Sequence, residues 1–116
     1  MTDHKRPPGL KPAGRRLWDA VAADFDMSEH EAAQLEEACR VRDRIAQLRA
    51  AVDTDGLMID SSQGKRLHPA VAEIRAQQLA LARLLATLAL PGLDDDLPAS
   101  TGVRGVYSLE SKRRRA

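Results

Sequence analysis

Aromatic residues are nearly missing from this 116-residue chain, which holds one Trp, one Tyr and one Phe. Leu, Val, Ile and Ala must therefore build the core, and such a composition suits helix packing better than a sheet, because strands favour β-branched and aromatic side chains. Cysteine is limited to Cys39. That excludes an internal disulfide framework and a multi-cysteine metal site, and it fits a reducing, intracellular setting. Cys39 itself reads as a small buried apolar group rather than a nucleophile. Long hydrophobic runs are absent too: Leu79 to Leu90 is interrupted by Arg83 and Thr87 and is too short to span a bilayer. No apolar stretch follows the opening Met-Thr-Asp-His-Lys-Arg-Pro-Pro, so no signal peptide is expected. The protein is expected to be soluble and cytosolic, with no membrane partner.

Catalytic constellations are also lacking. His4, His30 and His68 lie far apart and in different elements, and His68 is expected to serve as an N-cap or to pack at a helix start. Ser61-Ser62-Gln63-Gly64-Lys65 does not have the order of glycines and lysine that cradles a phosphate. Asp94-Asp95-Asp96 sits in a proline-flanked stretch without fixed geometry, which makes it a solvated acidic patch rather than a cation site. Neither an enzyme nor a cofactor or metal is expected.

What the chain does have is segregated charge. The formal net charge is only +1. Residues 1–16 nevertheless carry Lys5, Arg6, Lys11, Arg15 and Arg16 against Asp3 alone, and residues 104–116 carry Arg104 and Lys112, Arg113, Arg114 and Arg115 against Glu110 alone. Basic ends on an acidic body suggest an anionic partner for the ends.

Periodicity gives the architecture. Residues 1–10, with two prolines and a glycine, are expected to be a disordered or extended basic arm. Trp18, Val21, Ala22 and Phe25 then recur at helical spacing within a short first helix over about Lys11 to Phe25. Ser28 followed by Glu31 is a capping box that starts a second helix near Glu29, running to about Asp53. Its seam of Leu35, Ala38, Val41, Ile45, Leu48 and Val52 has near-heptad spacing and calls for a partner helix at a shallow angle. Asp55-Gly56 ends it, with Gly56 suited to a left-handed cap. Two short apolar segments around a Ser/Gly turn form a small β-hairpin or an ordered loop, the hairpin being preferred.

His68-Pro69 opens the third helix, whose seam is Val71, Ile74, Gln78, Leu81, Leu85 and Leu88. Its second half is apolar nearly all round, so it needs burial on more than one side. One partner helix cannot cover it. Self-association through Leu79, Leu81, Leu84, Leu85 and Leu88 is therefore expected. Pro91-Gly92 closes the helix, and residues 93–116 read as a flexible tail, acidic and then basic. The fold class is all-α: a short N-terminal helix and a long antiparallel helical hairpin over residues 11–92, with the small β-hairpin or loop between the long helices.

The candidate DNA-contacting residues are Lys5, Arg6, Lys11, Arg15 and Arg16, together with Arg40 and Arg44 four apart on the second helix; Arg42 and Arg49 lie on a neighbouring strip. Glu36 precedes Arg40 by four, so an intrahelical ion pair competes with that role. In an oligomer each weak phosphate contact is repeated, and avidity replaces single-site affinity.

The layout resembles the small terminase subunits of tailed bacteriophages. The residues that carry the likeness are Leu17-Trp18, Leu35 through Cys39, Asp55-Gly56, Gly64, His68-Pro69-Ala70 and Leu88-Ala89-Leu90-Pro91. The resemblance implies a ring of about eight to ten copies in the host cytoplasm. Such a ring recognises viral double-stranded DNA and presents it to the large terminase subunit, whose ATPase and nuclease it regulates. Lys112, Arg113, Arg114 and Arg115 are candidates for contact with a partner such as the large subunit. A different reading, a dimeric helix-turn-helix regulator built on the first two helices, is disfavoured by charge, because residues 17–39 hold seven acidic residues and no Lys or Arg.

Overall fold

Ser28 and Glu31 start the longest element as their spacing predicts. In the computed structural model, which describes residues 4–88, the Glu31 amide donates to Ser28 Oγ at 3.3 Å and the Ser28 amide donates to Glu31 Oε1 at 2.9 Å. Each side chain thus satisfies a backbone donor that the helix leaves unpaired. The Ser28 amide, and after it the Ser28 hydroxyl donating to Glu31 Oε1 at 3.2 Å, hold the Glu31 carboxyl below its ordinary pKa. Helix α2 runs over Glu29–Asp55, two residues further than its seam suggests. Gly56 ends it with φ of 95° and ψ of 151°. The positive φ is as expected, but the ψ lies beyond the left-handed helical cap, in a region essentially restricted to glycine.

Helix α1 (Pro12–Asp24) precedes α2, with Pro12 at its first position, where a missing N–H costs nothing. Beyond α2, strands β1 (Met58–Ser61) and β2 (Gly64–Leu67) pair antiparallel, Met58 opposite Leu67 and Asp60 opposite Lys65. The segment between the long helices is therefore a hairpin. Helix α3 (Ala70–Leu88) starts just after Pro69 rather than on it. His68 acts at this start: its Nδ1 accepts from the Ala70 amide at 3.0 Å, which leaves Nε2 to donate to Asp55 Oδ2 at 2.9 Å. The imidazole ties the end of α2 to the beginning of α3. At the opposite end Gln34 of α2 meets Thr87 of α3, so the two helices run antiparallel.

The core is uneven along this pair. Leu10, Trp18, Val21, Met27, Ala32, Leu35, Cys39 and Leu88 form one buried cluster, with Leu17, Ala22, Phe25 and Leu85 packed against it. It lies where α1 crosses the first half of α2 and the last turns of α3. Ile45 is fully buried beside the start of α1; toward the hairpin the structure thins to two helices, where Ala70 is buried and Leu48, Val52, Val71, Ile74 and Leu81 are half-covered.

Two expectations change. Residues 4–10, expected to be disordered or extended, are irregular, turn at Pro8-Gly9 and pack as a strap. Leu10 is buried in the core cluster, His4 Nε2 lies 2.9 Å from the Met27 carbonyl, and Arg6 pairs with Asp19 at 2.9 Å. A single well-placed leucine and two polar anchors outweigh the prolines' lack of periodic structure. In α3, Gln78 is exposed and Gln77 half-buried, the reverse of the expected seam, because the helix turns its Ala70–Leu88 line toward α2.

Candidate nucleic-acid interface and assembly face

The first turn of α1 stands on the middle of α2, and an aspartate accounts for the contact. Asp43 is buried, accepting from the Lys11 amide at 2.7 Å through Oδ2 and from the Gly14 amide at 2.6 Å through Oδ1. Lys11 occupies the N-cap position of α1 without capping it through its own side chain. Asp43 caps the helix from a different element, and a carboxylate is favoured at that end of the helix dipole. The approach is possible only because residue 14 is glycine: a Cβ there would lie 2.5 Å from Asp43 Oδ2 and 2.7 Å from the Cys39 carbonyl. Nothing in the sequence marks Asp43 for this task, since it sits among arginines on a helix and its partners are backbone amides 29 and 32 residues away.

Cations flank this junction on both sides. One groove, about 280 Å³, is lined by Arg16 of α1 and Arg42 and Arg49 of α2, with Ala46 and Ala50 in its wall and Asp53 as its one carboxylate. The other, about 160 Å³, is lined by Lys11, Arg40, Arg44 and Gln47 beside Gly9 and the buried Asp43.

The expected DNA-contacting residues thus divide. Arg6 is paired with Asp19, Arg15 donates to the Leu10 carbonyl at 2.6 Å, and Arg40 pairs with Glu36 at 2.6 Å while reaching the Pro8 carbonyl. The bond to Glu36 holds the Arg40 guanidinium above its ordinary pKa. These three arginines brace the strap and the helices. Lys5, Lys11, Arg16, Arg44 and Arg49 are exposed and Arg42 is half-buried, and among the described residues none of the six has a carboxylate within ion-pair distance. Lys112, Arg113, Arg114 and Arg115 lie outside the described residues.

The residues expected to drive assembly divide as well. Leu88 is buried within the chain's own core and is already covered in a single copy, and Leu85, half-covered, packs against that core. Leu81 and Leu84 are half-covered, and Leu79 is 55% exposed. The outward side of α3 is mixed: Leu79 and the exposed Ala72, Ala76, Ala82 and Ala86 lie among the exposed Glu73, Arg75, Gln78, Arg83 and Thr87. Exposed apolar residues continue on the hairpin at Leu57, Met58 and Leu67.

A family model described as "Phage terminase, small subunit" matches residues 14–92, from the glycine that seats α1 to just beyond α3. The chain belongs to that family. The match covers both helical crossings, the hairpin and the α2 arginines of the two cationic grooves, and it supports a role in phage genome packaging. No curated protein and no solved structure matches the chain. No helix among the described residues is long and apolar enough to cross a membrane, and no group of His, Cys, Asp and Glu among them is placed to hold a metal ion.

Proposed function

We propose that this terminase small subunit works as a ring of about eight to ten copies that contacts viral double-stranded DNA and presents it to the large terminase subunit in the host cytoplasm, regulating that subunit's ATPase and nuclease. The observation that carries the reading is the half-covered stem. Leu48, Val52, Val71, Ile74 and Leu81 have a second helix beside them but no third layer, and the outer side of α3 exposes Leu79 and four alanines between its polar residues. A helix pair with apolar surface on both sides is stable when another copy supplies the missing layer. A closed ring repeats that contact without leaving a free end.

Charge supports the DNA half of the proposal. The unpaired cations Lys5, Lys11, Arg16 and Arg44 repeat once per copy, so individually weak phosphate contacts gain by avidity. The exposed residues at the start of α2 are Glu29, His30, Ala33 and Glu37, which are unsuited to lie in a major groove. A mobility-shift titration with duplex DNA at two salt concentrations tests the reading, together with the ATPase rate of the large subunit with and without this chain. Salt-sensitive retardation and an altered ATPase rate are expected. No retardation at low salt would contradict DNA contact, and an unaffected motor would contradict regulation.

A further inference from the structure

The groove between the start of α1 and the second half of α2 has features that charge counting does not reveal. Arg42 and Arg49 stand seven residues apart on one face of α2, a rise of about 10 Å along the helix, and Arg16 faces them from α1. Ala46, between the two α2 arginines, and Ala50, just past Arg49, are small enough to leave the space open. Asp53 lies at the groove but within ion-pair distance of none of the three arginines. Asp43, the nearby carboxylate that would repel an anion, is turned inward onto the Lys11 and Gly14 amides.

We propose that Arg16, Arg42 and Arg49 form a phosphate-backbone site for duplex DNA, with Arg42 and Arg49 addressing two phosphates of one strand. The inference rests on the reading of the protein as a DNA-contacting packaging subunit and deepens it by naming the residues. Guanidinium groups suit this task because each presents a planar fork of donors to phosphate oxygens and stays charged at any working pH. The pair is separated too widely for a single phosphate to bridge, and the alanine wall beside them accepts the sugar face of the strand. Contacts to phosphate carry no sequence information, so the site grips DNA of any sequence. Arg6, Arg15 and Arg40, held by Asp19, the Leu10 carbonyl and Glu36, act as braces instead.

The test compares the wild-type chain with R42A/R49A and with R66A/R75A, which removes equal charge from β2 and α3. Alanine is the strongest helix former, so α2 persists, and circular dichroism with a solution mass checks fold and assembly in each variant. Binding to a duplex of about 30 base pairs of arbitrary sequence is measured over a salt series. R42A/R49A is expected to bind at least about tenfold more weakly, and its log–log salt slope is expected to be shallower by about 1.8 per engaged subunit, at about 0.9 per phosphate contact. R66A/R75A is expected to stay within about threefold of wild type with an unchanged slope. If the wild-type chain binds and R42A/R49A matches it in affinity and slope, this site is overturned while DNA contact stands, and the same holds if that variant loses only an acidic protein partner. If the wild-type chain fails to bind at all, both readings are overturned.

Discussion

Replacing Gly14 with alanine should destabilise this protein, although alanine is ordinarily the better residue inside a helix. At an unencumbered helical site the exchange stabilises by about 0.5–1 kcal/mol, since glycine loses more backbone freedom on folding. Here the new Cβ would lie 2.5 Å from Asp43 Oδ2, 2.9 Å from its Cγ and 2.7 Å from the Cys39 carbonyl. Asp43 can rotate away only by giving up its bonds to the Lys11 and Gly14 amides, and a hydrogen bond to a charged group contributes about 1.5–3 kcal/mol. The Cys39 carbonyl belongs to the backbone of α2 and cannot move without disturbing that helix. Overpacking of this kind costs about 1–3 kcal/mol. After the helix-propensity gain is subtracted, a net loss of about 2–4 kcal/mol is expected. The assay is urea denaturation followed by the emission of Trp18, the one tryptophan, which is 3% exposed beneath the strap. Protein concentration must be held constant, because assembly makes the midpoint depend on it. An unchanged or raised midpoint would refute the close approach of α1 to α2 through Asp43.

Three further outcomes follow from other parts of the chain. Ser28→Ala should cost about 1 kcal/mol through loss of the capping box. Because the Ser28 amide first and its hydroxyl second hold Glu31 below its ordinary pKa of 4.5, the Glu31 contribution is present at neutral pH and fades as acid protonates the carboxylate; equal acid sensitivity of wild type and Glu31→Gln would contradict it. Cys39, whose thiol is pushed up from 9.0 to about 12 by burial first and by the Asp43 charge second, should resist iodoacetamide at pH 8 until the chain is unfolded. Since the folded chain keeps this proton between pH 9 and 12 while the unfolded chain releases it, stability should fall across that range in wild type and less so in Cys39→Ala. Leu79→Asp should leave the secondary structure intact by circular dichroism while weakening assembly, because Leu79 is exposed in the single copy; an assembly of unaltered mass would place the interface elsewhere.

Most of the fold was legible because it is written in local signals. The capping box at Ser28, the glycine after Asp55 and the spacing of apolar residues place the ends of α1 and α2 and the start of α3 within about two residues of those observed; the closure of α3 at Pro91-Gly92 lies outside the described residues. The hairpin was legible as one of two alternatives, since its turn residues permit a tight reversal but do not compel pairing. What escaped depends on residues distant in sequence. The strap over residues 4–10 follows from Leu10 finding space beside Trp18 and Met27, which no periodicity reports. Asp43 reads as one more surface charge until α1 is laid across it. The division of the basic residues escaped for the same reason: the pairing of Arg6 with Asp19 crosses 13 residues, whereas that of Arg40 with Glu36 is the four-residue spacing the sequence already displays. On α3 the leucines are equivalent in composition, and only the direction of α2 separates the inward Leu85 and Leu88 from the outward Leu79.

Assembly is the claim on which the proposed function most depends, and sedimentation equilibrium of the full chain at micromolar concentration measures it directly. With a subunit of 12.7 kDa, a single species of about eight to ten subunit masses is the expected result, in keeping with a closed ring whose copies cover one another's α2–α3 stems. A monomer across the whole concentration range would contradict the account, for it would show that one copy tolerates the half-covered stem and the outward face of α3 in water.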